Sequence, residues 1–248
     1  MTNKTKKGVH ISKRDEKLFR YLFINKVATN QHLQSDIFNH ASKQAVHRRL
    51  DKLIKAGFIE AIYLRGNGNR LVYSLSKNSL LKFIGGREEL KRLQRKSSSV
   101  FHDLGLLEIK RRLSKCSYVE SYLSENVLVS GFFDDESDIR EIRKVHPDAI
   151  LKVSMPDRHF YFPLEYEASA KFAKRYDKLM AKYYLMEEVK AVLFISKSIT
   201  IQKKVMQSEK KRCKNKSGKF FYCLYENVIE LGEKAQFINN QKEVLVMN

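Results

Sequence analysis

Tryptophan is absent from this chain of 248 residues, which also holds only 3 cysteines, 3 prolines and 10 glycines. Cys116, Cys213 and Cys223 stand far apart, which excludes a disulfide framework and the paired spacing of a zinc site. No apolar run approaches the roughly 18–20 residues of a membrane span, so no membrane partner is expected. The opening segment MTNKTKKGVH is basic but lacks the apolar stretch of a signal peptide. These absences lead to the expectation of a reducing, cytoplasmic setting. Neither GxxxxGKS nor GxxxxGKT occurs, so nucleotide hydrolysis has no support. Hydrophobic residues nevertheless make up 43% of the chain, enough for packed cores rather than wholesale disorder.

Negative charge is also in short supply. Against 48 Lys and Arg there are 28 Asp and Glu, a net charge of +20. A field of this sign favours polyanions, of which nucleic acid is the commonest. Residues 1–99 carry 22 basic against 7 acidic side chains, a surplus of 15, whereas residues 100–200 carry 16 of each. The front of the chain therefore reads as the DNA grip, and the balanced middle as a place for other chemistry.

The front third is patterned as three helices and a hairpin. Ser12 is placed to cap a helix that buries Leu18, Phe19, Leu22 and Phe23, and Thr29 a second that buries Leu33 and Ile37. Ser42 opens a third, which buries Ala45, Val46, Leu50, Leu53 and Ile54 and stops at Gly57. FIEAIYLRGNGNRLVYSLS then reads as two alternating strands around a turn. Three helices and a hairpin make a winged helix-turn-helix, whose third helix enters the major groove of duplex DNA. Lys43, Gln44, His47, Arg48 and Lys52 face outward from that helix, and Arg65 and Arg70 flank the wing tip. A short helix at 78–84 closes this part, and Gly85 to Ser99 reads as a linker, with domains at 1–97 and 98–248.

The second part reads as an α/β domain with a mixed sheet. VFHDLGLLEIKRRLSKC forms a helix, DAILKVS and FYFPLEYEA form strands joined by the turn MPDRH, SAKFAKRYDKLMAKYYLM forms a helix, and KAVLFIS a buried strand. SYVESYLSEN is open between strand and helix, SGFFDDESDIREIRKV reads as polar and turn-rich, and FFYCLYENVIEL reads as the last strand. Pairing through MPDRH brings Asp148 beside Glu165, and the two-residue period of a strand puts Glu165 and Glu167 on one face. Three carboxylates on one face repel unless a cation sits among them, and an oxygen-only set suits Mg²⁺ or Mn²⁺. Lys171 follows on the next helix, where it can meet a phosphate, while Asp157 of MPDRH reads as a turn residue. Tyr176, Tyr183 and Tyr184 read as core, a tyrosine nucleophile being the lesser alternative; Lys171 and Lys174 read as solvated charge unless Lys171 serves the site, and Arg175 and Tyr176 as phosphate contacts or packing.

At Pro147-Asp148 and the Glu165/Glu167 pair the sequence resembles the PD-(D/E)XK nucleases. Asp148 matches the family's aspartate and Glu165 its second acid, whereas Glu167 stands where the family usually has lysine. The resemblance implies a restriction-endonuclease-like mixed-sheet fold and metal-dependent cleavage, with Lys171 substituting for the lysine from the helix. In some nucleases of this fold a helix acid adds a metal ligand, a place Glu108 could take, and His102 reads as a capped or packed helix histidine or as a catalytic group. The basic front, the helix opening with a histidine and PDA…LEYEASAK…RY together resemble the replication-relaxation group, in particular the MOB-C class of plasmid mobilisation relaxases. That likeness implies a site- and strand-specific nickase at a plasmid transfer origin, acting on duplex DNA opened to single strand at the nick with a relaxosome accessory protein. The alternative is a non-catalytic DNA-binding replication initiator or regulator with a vestigial nuclease fold.

Overall fold

The computed structural model describes residues 8–64, 70–84, 99–131, 137–156, 158–213 and 218–247. Arg65, Asp157 and residues 85–98 of the expected linker lie outside the described residues. The chain divides into two compact units, Met1–Asp103 and Leu104–Asn248.

In the first unit each helix begins where a side chain can take up orphan amides. Ser12 caps α1 (Lys13–Asn25), with its backbone N–H donating to Asp15 Oδ2 at 2.7 Å to close a capping box. Thr29, at the end of a short strand β1 (Val27–Thr29), caps α2 (Asn30–Asp36), and Ser42 caps α3 (Lys43–Lys55). Leu18, Phe19, Leu22 and Phe23 are buried as their spacing predicts. Two expected core residues depart from the reading. Because α2 ends at Asp36, Ile37 falls off the helical row and is half-buried, and Phe38 takes its place inside. On α3 the buried stripe is narrower than expected: Val46, Leu50 and Leu53 are inside, Ala45 is exposed and Ile54 half-buried. Gly57, at φ 77°, reverses the chain after α3 in a conformation that favours glycine.

Strands β2 (Ile59–Leu64) and β3 (Arg70–Leu75) pair antiparallel with Leu64 opposite Arg70. Strand β1, which the sequence reading missed, pairs with the other edge of β3, giving the order β1-β3-β2. β3 is therefore central, and Val72 to Leu75 are all buried instead of alternating. α4 (Lys77–Ser79) runs on into a π-wound turn, Leu80–Ile84, which sets Phe83 against Phe19 and Phe58.

Asp15, only 1% exposed, also ties α1 to α3: Arg49 Nε donates to its Oδ1 at 2.9 Å and Arg49 Nη2 to its Oδ2. Burial alone would raise this carboxyl, but the hydrogen bonds from Arg49 and Ser12 outweigh it and hold the group below the usual range. The Asp15 contribution is thus complete above the ordinary aspartate value of about 3.9, and is lost as pH falls through the depressed folded value. Thermal melts at decreasing pH should show a steep loss of stability below about pH 4. Asp15→Asn should flatten that loss while lowering the melting temperature at neutral pH.

The second unit is a seven-stranded mixed sheet in the order β10-β9-β8-β7-β6-β5-β4, with helices on both faces. α5 (Val100–Leu113) leads into β4 (Val119–Ser124), α6 (Glu125–Ser130) and α7 (Ser137–Ile142). The antiparallel hairpin β5 (Ala149–Met155) and β6 (Arg158–Glu167) follows, then α8 (Ala173–Tyr184), β7 (Val192–Ser196), α9 (Ile199–Cys213) and β8 (Phe220–Leu224). β6, β7 and β8 run parallel, joined by α8 and α9. α10 (Tyr225–Leu231), β9 (Gln236–Ile238) and β10 (Val244–Val246) complete the chain. SYVESYLSEN thus resolves into a strand and a helix. SGFFDDESDIREIRKV contains α7 where only turn was expected, and FFYCLYENVIEL is strand then helix, with two further strands beyond it.

One face of this sheet carries Leu151, Leu164, Tyr166, Leu193 and Ile195 against Ile109 and Leu113 of α5. Gly105 allows that approach, since a Cβ there would stand 2.4 Å from the Tyr166 ring. The other face carries Ile150, Phe194, Phe220 and Tyr222 against Tyr176, Met180 and Tyr183 of α8 and Ile201 and Val205 of α9.

Beneath this second layer lies a carboxyl group that the sequence did not mark. Glu209 of α9 is fully buried and accepts from Tyr184 Oη at 2.6 Å, Tyr222 Oη at 2.9 Å, the N–H groups of Gly218 and Phe220 at 3.2 Å, and Asn240 Nδ2. Lys219 caps the end of α8, donating to the carbonyls of Tyr183 and Met186 at 3.0 and 2.8 Å. Glu209→Ala leaves these buried donors without an acceptor and should cost roughly 3 kcal/mol or more. Glu209→Gln, which keeps the shape but turns one acceptor into a donor, should cost less; urea denaturation of both variants checks the order.

Candidate metal centre and nucleic-acid face

The hairpin register settles where the acids stand. Ala149 pairs with Leu164, so Asp148 enters β5 beside Glu165 at the end of β6. Glu165 and Glu167 alternate with Leu164 and Tyr166 and so lie on the α8 side of the sheet, opposite α5. Asp148, two residues before Ile150, shares that side. The acids sit where β6 hands over to α8, at the carboxyl end of the first parallel strand.

Each acid is held by a neighbour. Asp148 Oδ2 accepts from the backbone N–H of Tyr166 at 2.8 Å, which stitches the strand ends together. Glu165 Oε1 accepts from Tyr183 Oη of α8 at 2.6 Å. Glu167, 8% exposed, has Lys171 Nζ 3.5 Å from its Oε1, and Lys171 also donates to Ser169 Oγ at 2.8 Å. Lys171 is not on the helix as expected: α8 starts at Ala173, and Lys171 lies in the preceding loop, its backbone N–H donating to Tyr176 Oη at 2.8 Å. Arg175, exposed on the first turn of α8, adds positive charge that acts on both glutamates. Phe172, beside Lys171, is 90% exposed.

The electrostatics follow from this crowding. Burial pushes the Glu165 carboxyl well above the usual range, and the charges of Asp148 and Glu167 push the same way against the Tyr183 hydrogen bond and Arg175. Burial also raises Glu167, opposed by Lys171 and Arg175. A raised carboxyl contributes stability that is lost as pH rises through its folded value, so ionising either glutamate costs the fold. A cation among the acids would offset that cost.

Among the described residues no three His, Cys, Asp or Glu side chains are drawn together tightly enough to form a metal cage. Two hard carboxylates nevertheless fit Mg²⁺ or Mn²⁺, because Mg²⁺ keeps several waters and is commonly held by one or two carboxylates together with substrate phosphate. Glu108 does not complete such a cage: its Oε2 lies 3.3 Å from Arg111 Nη1 on α5, the helix packed on the opposite face, and its charge acts on Tyr225. His102 falls within the first unit, its Nδ1 3.4 Å from Asp103 Oδ1.

Tyr176, Tyr183 and Tyr184 are packed as the sequence suggested, Tyr176 and Tyr183 being buried and Tyr184 half-buried, and each hydroxyl is hydrogen-bonded. The Tyr183–Glu165 contact was not legible beforehand, because 18 residues and a change of element separate the partners. The signal that could have hinted at it is the tyrosine's place on the same helical stripe as Tyr176 and Met180.

In the first unit, Lys43, Gln44, His47, Arg48 and Lys52 all project from the exposed side of α3, and Arg70 is exposed at the start of β3. The face is not purely basic, since His47 Nε2 lies 3.5 Å from Asp51 Oδ2. No described helix is long and apolar enough to cross a membrane. Comparison with protein-family models, curated proteins and solved structures finds no match to the chain.

Arg48→Ala and Lys43→Ala remove side chains the core does not use, so melting temperatures should not change. Duplex DNA affinity, followed by fluorescence anisotropy, should fall by about 1–3 kcal/mol where a base edge is read and by less at a phosphate. It should also weaken as salt is raised. Wild-type affinity in both variants, or no affinity for duplex DNA at all, would count against α3 as a DNA reader.

Proposed function

We propose that the chain is a metal-dependent DNA nickase, with a winged-helix unit that grips duplex DNA and a restriction-endonuclease-like unit that cuts one strand. What supports it is the shared face of Asp148, Glu165 and Glu167 at the end of β6, with Lys171 3.5 Å from Glu167. Acids packed at such a cost in a chain of net charge +20 call for a function that needs them. Asp148 and Glu165 are the residues to hold Mg²⁺ or Mn²⁺. When bound, the ion polarises the scissile phosphate and lowers the pKa of a water. Glu167 orients or accepts a proton from the attacking water, and Lys171 and Arg175 balance the phosphate's growing charge. In the relaxase reading the DNA is a plasmid transfer origin, opened at the nick with an accessory protein.

The second reading is a non-catalytic DNA-binding initiator or regulator, and the lack of a ready three-ligand cage among the described residues favours it. Supercoiled plasmid incubated with and without Mn²⁺ separates the two. The nickase converts it to open circles only with the ion, and Asp148→Asn and Glu165→Gln abolish nicking while DNA binding persists. Intact plasmid in the presence of Mn²⁺, a target origin and cell extract that supplies accessory proteins would leave the binder as the answer.

A further inference from the structure

Two consecutive tyrosines on α8 each donate to a carboxyl group on another element. Tyr184 Oη reaches Glu209 at 2.6 Å, among donors that bind together α8, α9, β8 and the turn at Asn240. Tyr183 Oη reaches Glu165 Oε1, also at 2.6 Å, and it is the only hydrogen bond that a described residue makes to Glu165. The Tyr183 ring is fully buried, edge-on to Phe220 with centroids 5.5 Å apart, so the hydroxyl is carried on a rigid mount.

We propose that Tyr183 is a positioning residue of the acid centre: its hydroxyl ties down Glu165 Oε1 and so fixes how Oε2 is presented to a divalent cation. The proposal rests on the metal-nuclease reading. Partners that orient a metal-binding carboxylate are worth roughly 10–100-fold in metal affinity. The side chain is fully buried and its hydroxyl is given to Glu165, so its effect passes through that carboxylate.

Tyr183→Phe keeps the ring and its packing on Phe220 and deletes only the donor, so it is expected to fold. Mn²⁺ binding to the full-length protein, read from the electron paramagnetic resonance of free Mn²⁺, is measured for wild type, Tyr183→Phe, Tyr184→Phe, Glu165→Gln and the double variant Tyr183→Phe/Glu165→Gln, with melts run in parallel. Tyr183→Phe should weaken Mn²⁺ binding by about tenfold or more. Tyr184→Phe should lower the melting temperature and leave Mn²⁺ affinity unchanged. In the Glu165→Gln background, removing the Tyr183 hydroxyl should make no further difference. Wild-type Mn²⁺ affinity in Tyr183→Phe overturns the proposal, as does equal weakening in Tyr184→Phe, which would trace the loss to the helix. No Mn²⁺ binding by the wild type overturns the metal reading itself, a separate outcome.

Discussion

Much of the second unit hangs on one buried carboxyl group. Glu209 draws donors from α8, β8 and the turn at Asn240 onto α9, so four stretches of chain far apart in sequence share one acceptor. A fully buried carboxyl is tolerated only when its lone pairs are taken up, and here they are. The Tyr184 bond to it, with Lys219 capping the end of the same helix, sets how α8 lies against the sheet. Tyr183, the adjacent residue, is held by its own buried packing on Phe220 and turns to Glu165 instead.

The two glutamates on α8's underside are treated in opposite ways. Glu209 is surrounded by donors and reads as scaffold. Glu165 has a single hydrogen-bond donor among the described residues and faces two other acids, and its carboxyl is pushed up by burial and by their charge. Local packing does not account for a buried acid kept beside like charges. An electrostatic debt of that kind is characteristic of functional sites, where a cation or phosphate partner completes the balance. The position, at the carboxyl end of a parallel strand and before a basic loop, suits the same conclusion, since ligands of open α/β sheets gather at strand ends of this kind.

The first unit shows the complementary arrangement. Its charge is outward on α3, while the buried Asp15 is paired with Arg49 and used to join two helices. Arg49 sits next to Arg48 in sequence, yet one points to solvent and the other ties the fold together. A helix turns about 100° per residue, which is why adjacent arginines can serve such different ends.

Much was legible in the sequence because it depends on local spacing. Ser12, Thr29 and Ser42 announce helix starts, since orphan amides need an acceptor within three residues. The strand period puts Glu165 and Glu167 on one face, and the short MPDRH turn sets the register that brings Asp148 beside them. The outward residues of α3 follow from its buried stripe in the same way. Only tertiary structure decided what depends on distant partners. β3 lost its alternation because β1 covers its second edge, and Lys171 fell to the loop because α8 begins two residues later. Glu108 went to the opposite face with α5, and Tyr183 and Glu209 acquired roles through contacts 18 and more residues away. Periodicity specifies which side of an element a residue occupies; what waits on that side is chosen by the packing of the whole sheet and its helices.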